Sequence, residues 1–196
     1  MSRWAVLLID LQAGILDSPK IPWERPGTGT DVVDVATRVV ASARQNGAMV
    51  FHVGVRRPYH LGAFDQPRTA AASASGKSPR DVFELVDPAD VAFKVDVHPG
   101  EEVMYKFGVS AFATSHLDDL LRNAGIRQVM TMGIFTHMAV ESTVRAGYDL
   151  GYEMTVVSDG CCAPVSALHE SSLGSIRNFA RVVNSDEALT GLGRVS

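Results

Sequence analysis

Cysteine is nearly missing from this chain: there are two among 196 residues, adjacent at Cys161 and Cys162. Neighbouring thiols cannot clip distant segments together and do not follow a metal-ligand spacing, which excludes a disulfide scaffold and a cysteine-built metal site. No apolar run is long enough to cross a bilayer, and no signal-peptide pattern opens the chain. The expected setting is the cytoplasm, without membrane contact. Positive charge is not in excess either: 18 basic residues stand against 22 acidic ones, for a formal net charge of -4, and the basic residues are scattered along the chain. Nucleic acid is therefore not an expected partner. Neither an internal repeat nor a linker interrupts the sequence, and 46% hydrophobic content over this length suffices for a full core. A single domain over residues 1–196 is the expectation.

What the sequence does contain is alternation. Trp4 to Ile9 is a continuous apolar run closing on Asp10, the pattern of a strand buried on both faces. A Pro- and Gly-rich stretch over 11–29 reads as loop. Asp31 to Asn46 then has helical spacing and stops at Gly47. Ala48 to Val55 is a second buried strand. The following segment, through the small-residue stretch Ala70 to Ser78, shows no sustained periodicity until about Asp81 and reads as a lid, a binding loop or an oligomer contact, the last over 56–90. Val91 to Val95 and Glu102 to Lys106 read as short strands around the Pro99-Gly100 turn. A helix follows over Thr114 to Asn123, with Thr114 as N-cap. Then come strand Gln128 to Gly133, helix His137 to Leu150, strand Tyr152 to Ser158, helix Ser166 to Phe179 and a last strand near Arg181 to Asn184. This order predicts an α/β fold, a three-layer sandwich with a mainly parallel central sheet.

In such sheets ligands bind beyond the carboxyl ends of the strands. Asp10, Lys106 and the stretch Gly133-Ile-Phe-Thr-His-Met-Ala139 each follow a strand at that end. A strand that stops at a glycine before a helix aims backbone N–H groups and a positive dipole end at whatever lies above it. Asp10 reads as a general acid/base tuned by Lys106, or as a carboxylate that merely caps a neighbouring segment. On the helix, Ala139, Ser142, Thr143, Ala146, Gly147 and Leu150 form a mostly small stripe suited to close packing on the sheet. Thr136 reads as its N-cap or turn stabiliser.

Four segments in this order and spacing carry a specific resemblance. They are Ala5-Val-Leu-Leu-Ile-Asp-Leu-Gln12, Lys106-Phe-Gly-Val-Ser-Ala-Phe112 with Thr114 and Leu117, Gly133 through Thr143, and Gly151-Tyr-Glu-Met-Thr-Val-Val-Ser-Asp159. The chain resembles the isochorismatase-like superfamily of cysteine hydrolases nearly end to end. The resemblance implies a catalytic triad of Asp10, Lys106 and position 139, where the family's nucleophilic cysteine is here Ala139. It also implies a cis peptide between Ile134 and Phe135, with the N–H groups of Phe135 and Ala139 forming an oxyanion hole. The activity implied is hydrolysis of a C–N bond in a small amide, carbamoyl or imide-like molecule, inactive as written.

Two accounts fit Ala139. One is an inactivating Cys-to-Ala replacement, which needs a single changed position. The other is a natural cysteine-free member resembling isochorismatases, which cleave a vinyl ether with the Asp as general acid. A non-catalytic binding protein on the same scaffold is a third reading. Substrate contacts are expected from Trp23, Arg56, Arg57, Tyr59, His60, Phe64, Phe135 and His137, an Arg there suiting a carboxylate. Asp96-Val-His98 has the spelling of a metal pair, but it sits just before Lys106 and not after the second strand, where metal-binding relatives carry it. No metal and no cofactor is expected. Cys161 and Cys162 are expected to be structural thiols. The relatives' habit of assembly implies a homo-oligomer, dimer or tetramer.

Overall fold

The computed structural model describes residues 4–18, 21, 23, 31–56, 74, 76 and 92–192. Strand β1, Trp4–Ile9, is buried at every position, as a continuous apolar run requires. Helix α1 is a single turn, Ala13–Leu16, inside the stretch that reads as loop. Helix α2, Asp31–Gln45, leads to β2, Met49–Val55, and β3 is Glu102–Lys106. Helix α3 spans Leu117–Asn123 and β4 spans Gln128–Ile134. A wide π-helical turn, Thr136–Val140, passes into α4, Glu141–Asp149. The chain ends in β5, Glu153–Cys162, α5, Ser166–Ile176, β6, Ala180–Val183, and α6, Ser185–Leu192.

All six strands are parallel, in the order β3-β2-β1-β4-β5-β6. The chain builds outward from β1 to β3, then returns to the other side of β1 for β4, so the order reverses between β1 and β4. That is where an open parallel sheet leaves a crevice at its carboxyl edge. The register fixes what meets there. Ile9 is paired with Val53 on one side and with Gly133 on the other, and Val55 is paired with Lys106.

Several local expectations are corrected. Of the strand expected over Val91 to Val95, the described residues 92–95 form none; Phe93 makes one antiparallel bridge to Gln12. Thr114 does not cap α3, whose cap position is His116. Its hydroxyl instead accepts the N–H groups of Phe107 and Gly108, tying down the loop after Lys106. Strand β5 continues past Ser158 to Cys162, and the register against β4 shifts between Thr131 and Gly133. Thus Cys161 and Cys162 lie on the strand, opposite Gly133 and Ile134. The helix expected from His137 starts as the wide turn, and α6 was not legible as a separate helix. The small stripe has a visible cause at Gly147, where a Cβ would stand 2.6 Å from the Met154 sulfur on β5.

Candidate active site

Asp10 follows β1 directly, at φ 57, with its N–H donating to the Val53 carbonyl at 2.8 Å. Lys106 ends β3, two strands away, at about 10 Å of lateral separation. Its long side chain crosses β2, and Nζ donates to Asp10 Oδ2 at 2.8 Å. Both side chains are almost fully buried, at 2% exposure for Lys106 and 4% for Asp10. Two opposite charges withdrawn from water together offset part of each other's desolvation cost, so removing one partner is more disruptive than removing both. Gln12 completes this edge. It is wholly buried, its Oε1 accepts the Val55 N–H at 2.7 Å, and it fills the space above Gly54, where a Cβ would stand 2.9 Å from it.

On the other side of β1, Gly133 lies so close that a Cβ would stand 2.1 Å from the Ile9 carbonyl oxygen, and its φ is 149. Only glycine fits. The next residues make the turn. Among the described residues no peptide bond is cis, so the expected cis bond before Phe135 is not present. Phe135 reverses the chain instead by adopting the left-handed conformation, φ 58 and ψ 57. Its carbonyl accepts the N–H groups of Met138 at 2.8 Å and Val140 at 3.4 Å. Ala139 is in this turn at 3% exposure. Thr136 is not an N-cap. It lies inside the turn, fully buried, with its Oγ1 2.9 Å from His169 Nδ1 on α5.

Three of the expected substrate contacts gather at the turn. The Trp23 and Phe135 rings are 5.3 Å apart between centroids, and Phe135 and His137 are 6.4 Å apart, edge to face. Arg56 is at the same rim, its N–H donating to the Lys106 carbonyl at 3.0 Å, but the residue is exposed. Arg57, Tyr59, His60 and Phe64 lie outside the described residues. Asp96 and His98 are used structurally: the Asp96 carbonyl accepts from Arg44, and the His98 N–H donates to Glu101. The two cysteines stand beside the base of the turn in packed surroundings. Burial pushes the Cys161 thiol up against a smaller opposing hydrogen bond from the Gly133 N–H. Burial pushes Cys162 up to about 12. Neither is poised as a thiolate near neutral pH.

Thr143, read in the sequence only as a packing position, and residues not singled out there complete the frame. The Thr143 hydroxyl donates to the Ala139 carbonyl at 2.7 Å and accepts the Ala111 N–H at 2.9 Å, joining the turn to the loop that follows Lys106. Ser172 on α5 places its hydroxyl 3.0 Å from the Thr136 carbonyl and 2.7 Å from Glu141 Oε2. Burial alone would raise the Glu141 carboxyl, but hydrogen bonds from Ser172 and Arg145 outweigh it and hold the carboxyl below its usual range. The one signal for this set in the sequence is the spacing of His169 and Ser172, which puts both on one face of a helix.

An all-parallel sheet with a buried carboxylate–ammonium pair at its carboxyl edge, on the same side as the turn that bears residue 139, defines an α/β protein whose charged groups gather where such sheets bind ligands. The isochorismatase domain model matches residues 4–187. The chain belongs to the isochorismatase family. It is 32% identical over 183 residues to the uncharacterized isochorismatase family protein YwoC of Bacillus subtilis, covering 92% of this chain and 87% of that one. It is 40% identical over 77 residues to the ureidoacrylate amidohydrolase RutB of Caulobacter segnis, a stretch that is 39% of this chain and 30% of that protein. The solved structure of an isochorismatase family protein from Burkholderia thailandensis superposes with a TM-score of 0.76 at 28% identity, over 97% of this chain and 95% of that one.

Proposed function

We propose that this chain is a cysteine-hydrolase scaffold for breaking a C–N bond in a small amide, carbamoyl or imide-like molecule, and that Ala139 replaces its nucleophile. The observation that carries the reading is the buried Asp10–Lys106 pair at 2.8 Å, held at the same sheet edge as the turn containing residue 139. With a thiol at 139, Asp10 takes the thiol proton while Lys106 keeps the acid in place. The thiolate adds to the carbonyl carbon, and the oxygen that gains charge is received by turn N–H groups such as that of Phe135. The C–N bond then breaks, Asp10 returns its proton to the departing amine, and water hydrolyses the thioester. Alanine keeps the receiving groups and the acid/base pair but lacks the attacking atom. By analogy with nucleophile removal in a serine protease, this lowers the rate by on the order of a millionfold.

The similarity to RutB favours ureido- and carbamoyl-type C–N bonds, with Trp23, Phe135 and His137 contributing apolar and aromatic contacts. The test is Ala139→Cys assayed beside the unmodified chain on a panel of ureido, carbamoyl and simple amides. Activity gained only by the cysteine variant, and lost again with Asp10→Asn, is the expected result. A cysteine variant that hydrolyses nothing on the panel counts against the proposal. Turnover of a vinyl ether such as isochorismate by the unmodified chain, abolished by Asp10→Asn, replaces it with acid catalysis by Asp10 alone.

A further inference from the structure

The turn that bears residue 139 is wound more widely than an α-helix. The Thr136 carbonyl accepts the Glu141 N–H, five residues on, where α-helical winding would give it the Val140 N–H; that N–H goes to the Phe135 carbonyl at 3.4 Å. Single π-turns are rare, and something must hold the chain out of the tighter winding. Here two side chains from α5 reach the same residue. His169 Nδ1 is 2.9 Å from the Thr136 hydroxyl, and the Ser172 hydroxyl is 3.0 Å from the Thr136 carbonyl. Both are on one face of α5, three residues apart. The single Ser172 hydroxyl proton is shared between that carbonyl and Glu141 Oε2 at 2.7 Å, and Glu141 is held by Arg145 at 2.7 Å, so the anchor extends into α4. Ser172 is 4% exposed and Thr136 is fully buried, so water does not readily replace either contact.

We infer that His169 and Ser172 are positioning residues, which hold the 136–140 turn in its wide form and so aim the side chain at position 139 toward Asp10 and the turn N–H groups. The inference rests on the hydrolase reading of the site, but it concerns geometry and needs no substrate. An α-helix advances about 100° per residue, so tightening the turn by one residue swings position 139 out of line with everything it faces. With Nδ1 unprotonated the Thr136 hydroxyl donates to it, and the 2.9 Å contact joins the two side chains in either tautomer. Ser172 supplies the second lateral hydrogen bond on the carbonyl, which stabilises the wide turn. Neither residue touches the reacting atoms in this arrangement.

The experiment places a reporter where the side chain should be aimed. In Ala139→Cys, the rate at which iodoacetamide alkylates the introduced thiol is followed against pH, with peptide mapping to separate it from Cys161 and Cys162. The introduced thiol is expected to titrate well below the ordinary value of about 8.5. Adding Ser172→Ala or His169→Leu shifts it back up by about one unit, a tenfold loss of thiolate at low pH, and His169→Asn, which keeps an acceptor near the Nδ1 position, restores it. In the unmodified chain, the amide resonances of residues 135–141 move in Ser172→Ala and His169→Leu and return in His169→Asn. Superimposable titrations in the parent and both disruptive variants overturn the inference, and so does an ordinary parent thiol. If Ser172→Ala fails to fold, the His169→Leu and His169→Asn pair decides alone. A depressed thiol pKa at position 139 in a protein that hydrolyses no amide defeats the proposed activity and leaves the positioning role standing.

Discussion

The hydroxyl of Thr143 donates to the carbonyl of Ala139 at 2.7 Å and receives the N–H of Ala111 at 2.9 Å, so one buried side chain joins the turn after β4 to the loop after β3. Thr143→Val keeps the shape and removes both bonds, leaving the Ala111 N–H and the Ala139 carbonyl short of a partner. A buried group left unsatisfied costs about 1–3 kcal/mol, so the urea midpoint falls by an amount in that range. A Thr143→Val protein as stable as the parent would show that these bonds are replaced by others.

The Asp10–Lys106 pair makes a second prediction, in which the single and double variants differ in severity. Lys106→Met removes one charge and leaves a carboxylate buried without its cation, which costs about 3–5 kcal/mol or forces Asp10 to take up a proton. Asp10→Asn combined with Lys106→Met removes both charges and is less damaging than Lys106→Met alone. Equilibrium unfolding of the four proteins gives the coupling directly, and simple additivity would mean that the pair is not coupled in the folded state.

How far the sequence reaches is shown by particular residues. β1 was legible because a strand buried on both faces must be apolar throughout. Asp10, Lys106 and the turn Gly133 to Ala139 were legible as following strands at one edge of the sheet. The wide turn was not: Thr136 to Val140 has ordinary helix-forming spacing, and what opens it is a lateral hydrogen bond from Ser172, 36 residues away. Thr114 failed as an N-cap for the same reason, since a hydroxyl before a helix can serve any nearby N–H and this one serves Phe107 and Gly108. The reach of β5 to Cys162 depends on a register shift against β4 that no local pattern encodes. Propensity places elements; side chains from distant segments set their ends.

Two glycines separate steric necessity from packing preference. At Gly133 a Cβ would lie 2.1 Å from backbone oxygen, at a φ of 149 that L-residues avoid. Backbone cannot withdraw without opening the β1–β4 pairing, so Gly133→Ala is expected to cost more than about 4 kcal/mol or to abolish folding. At Gly147 the nearest atom is the Met154 sulfur at 2.6 Å, the far part of a flexible side chain. Repacking there limits the cost of Gly147→Ala to about 1–3 kcal/mol. Thermal melts of the two variants decide the ranking, and a Gly133→Ala protein that melts with the parent would refute the close approach.

Part of the acid sensitivity is expected to originate away from the site, beside what the lowered Glu141 and His169 contribute, in the cluster where Glu101 accepts from Arg44 at 2.6 Å, from His52 at 2.8 Å and from the His98 N–H at 2.9 Å. Burial alone would raise the Glu101 carboxyl, but these hydrogen bonds outweigh it and hold it at about 2 against an ordinary 4.5. Burial pushes His52 below its ordinary 6.5, partly offset by Glu101. In both cases the unfolded chain binds a proton more readily than the folded one, so acidification favours unfolding. His52 contributes a loss that begins as the pH falls below 6.5. Glu101 adds a second below 4.5, complete only near 2. Urea midpoints at about pH 7, 5 and 3 should therefore fall in two stages, and Glu101→Gln should flatten the lower one while lowering stability at neutral pH. A variant whose midpoint falls as steeply as the parent's between about pH 5 and 3 would place the acid-sensitive group elsewhere.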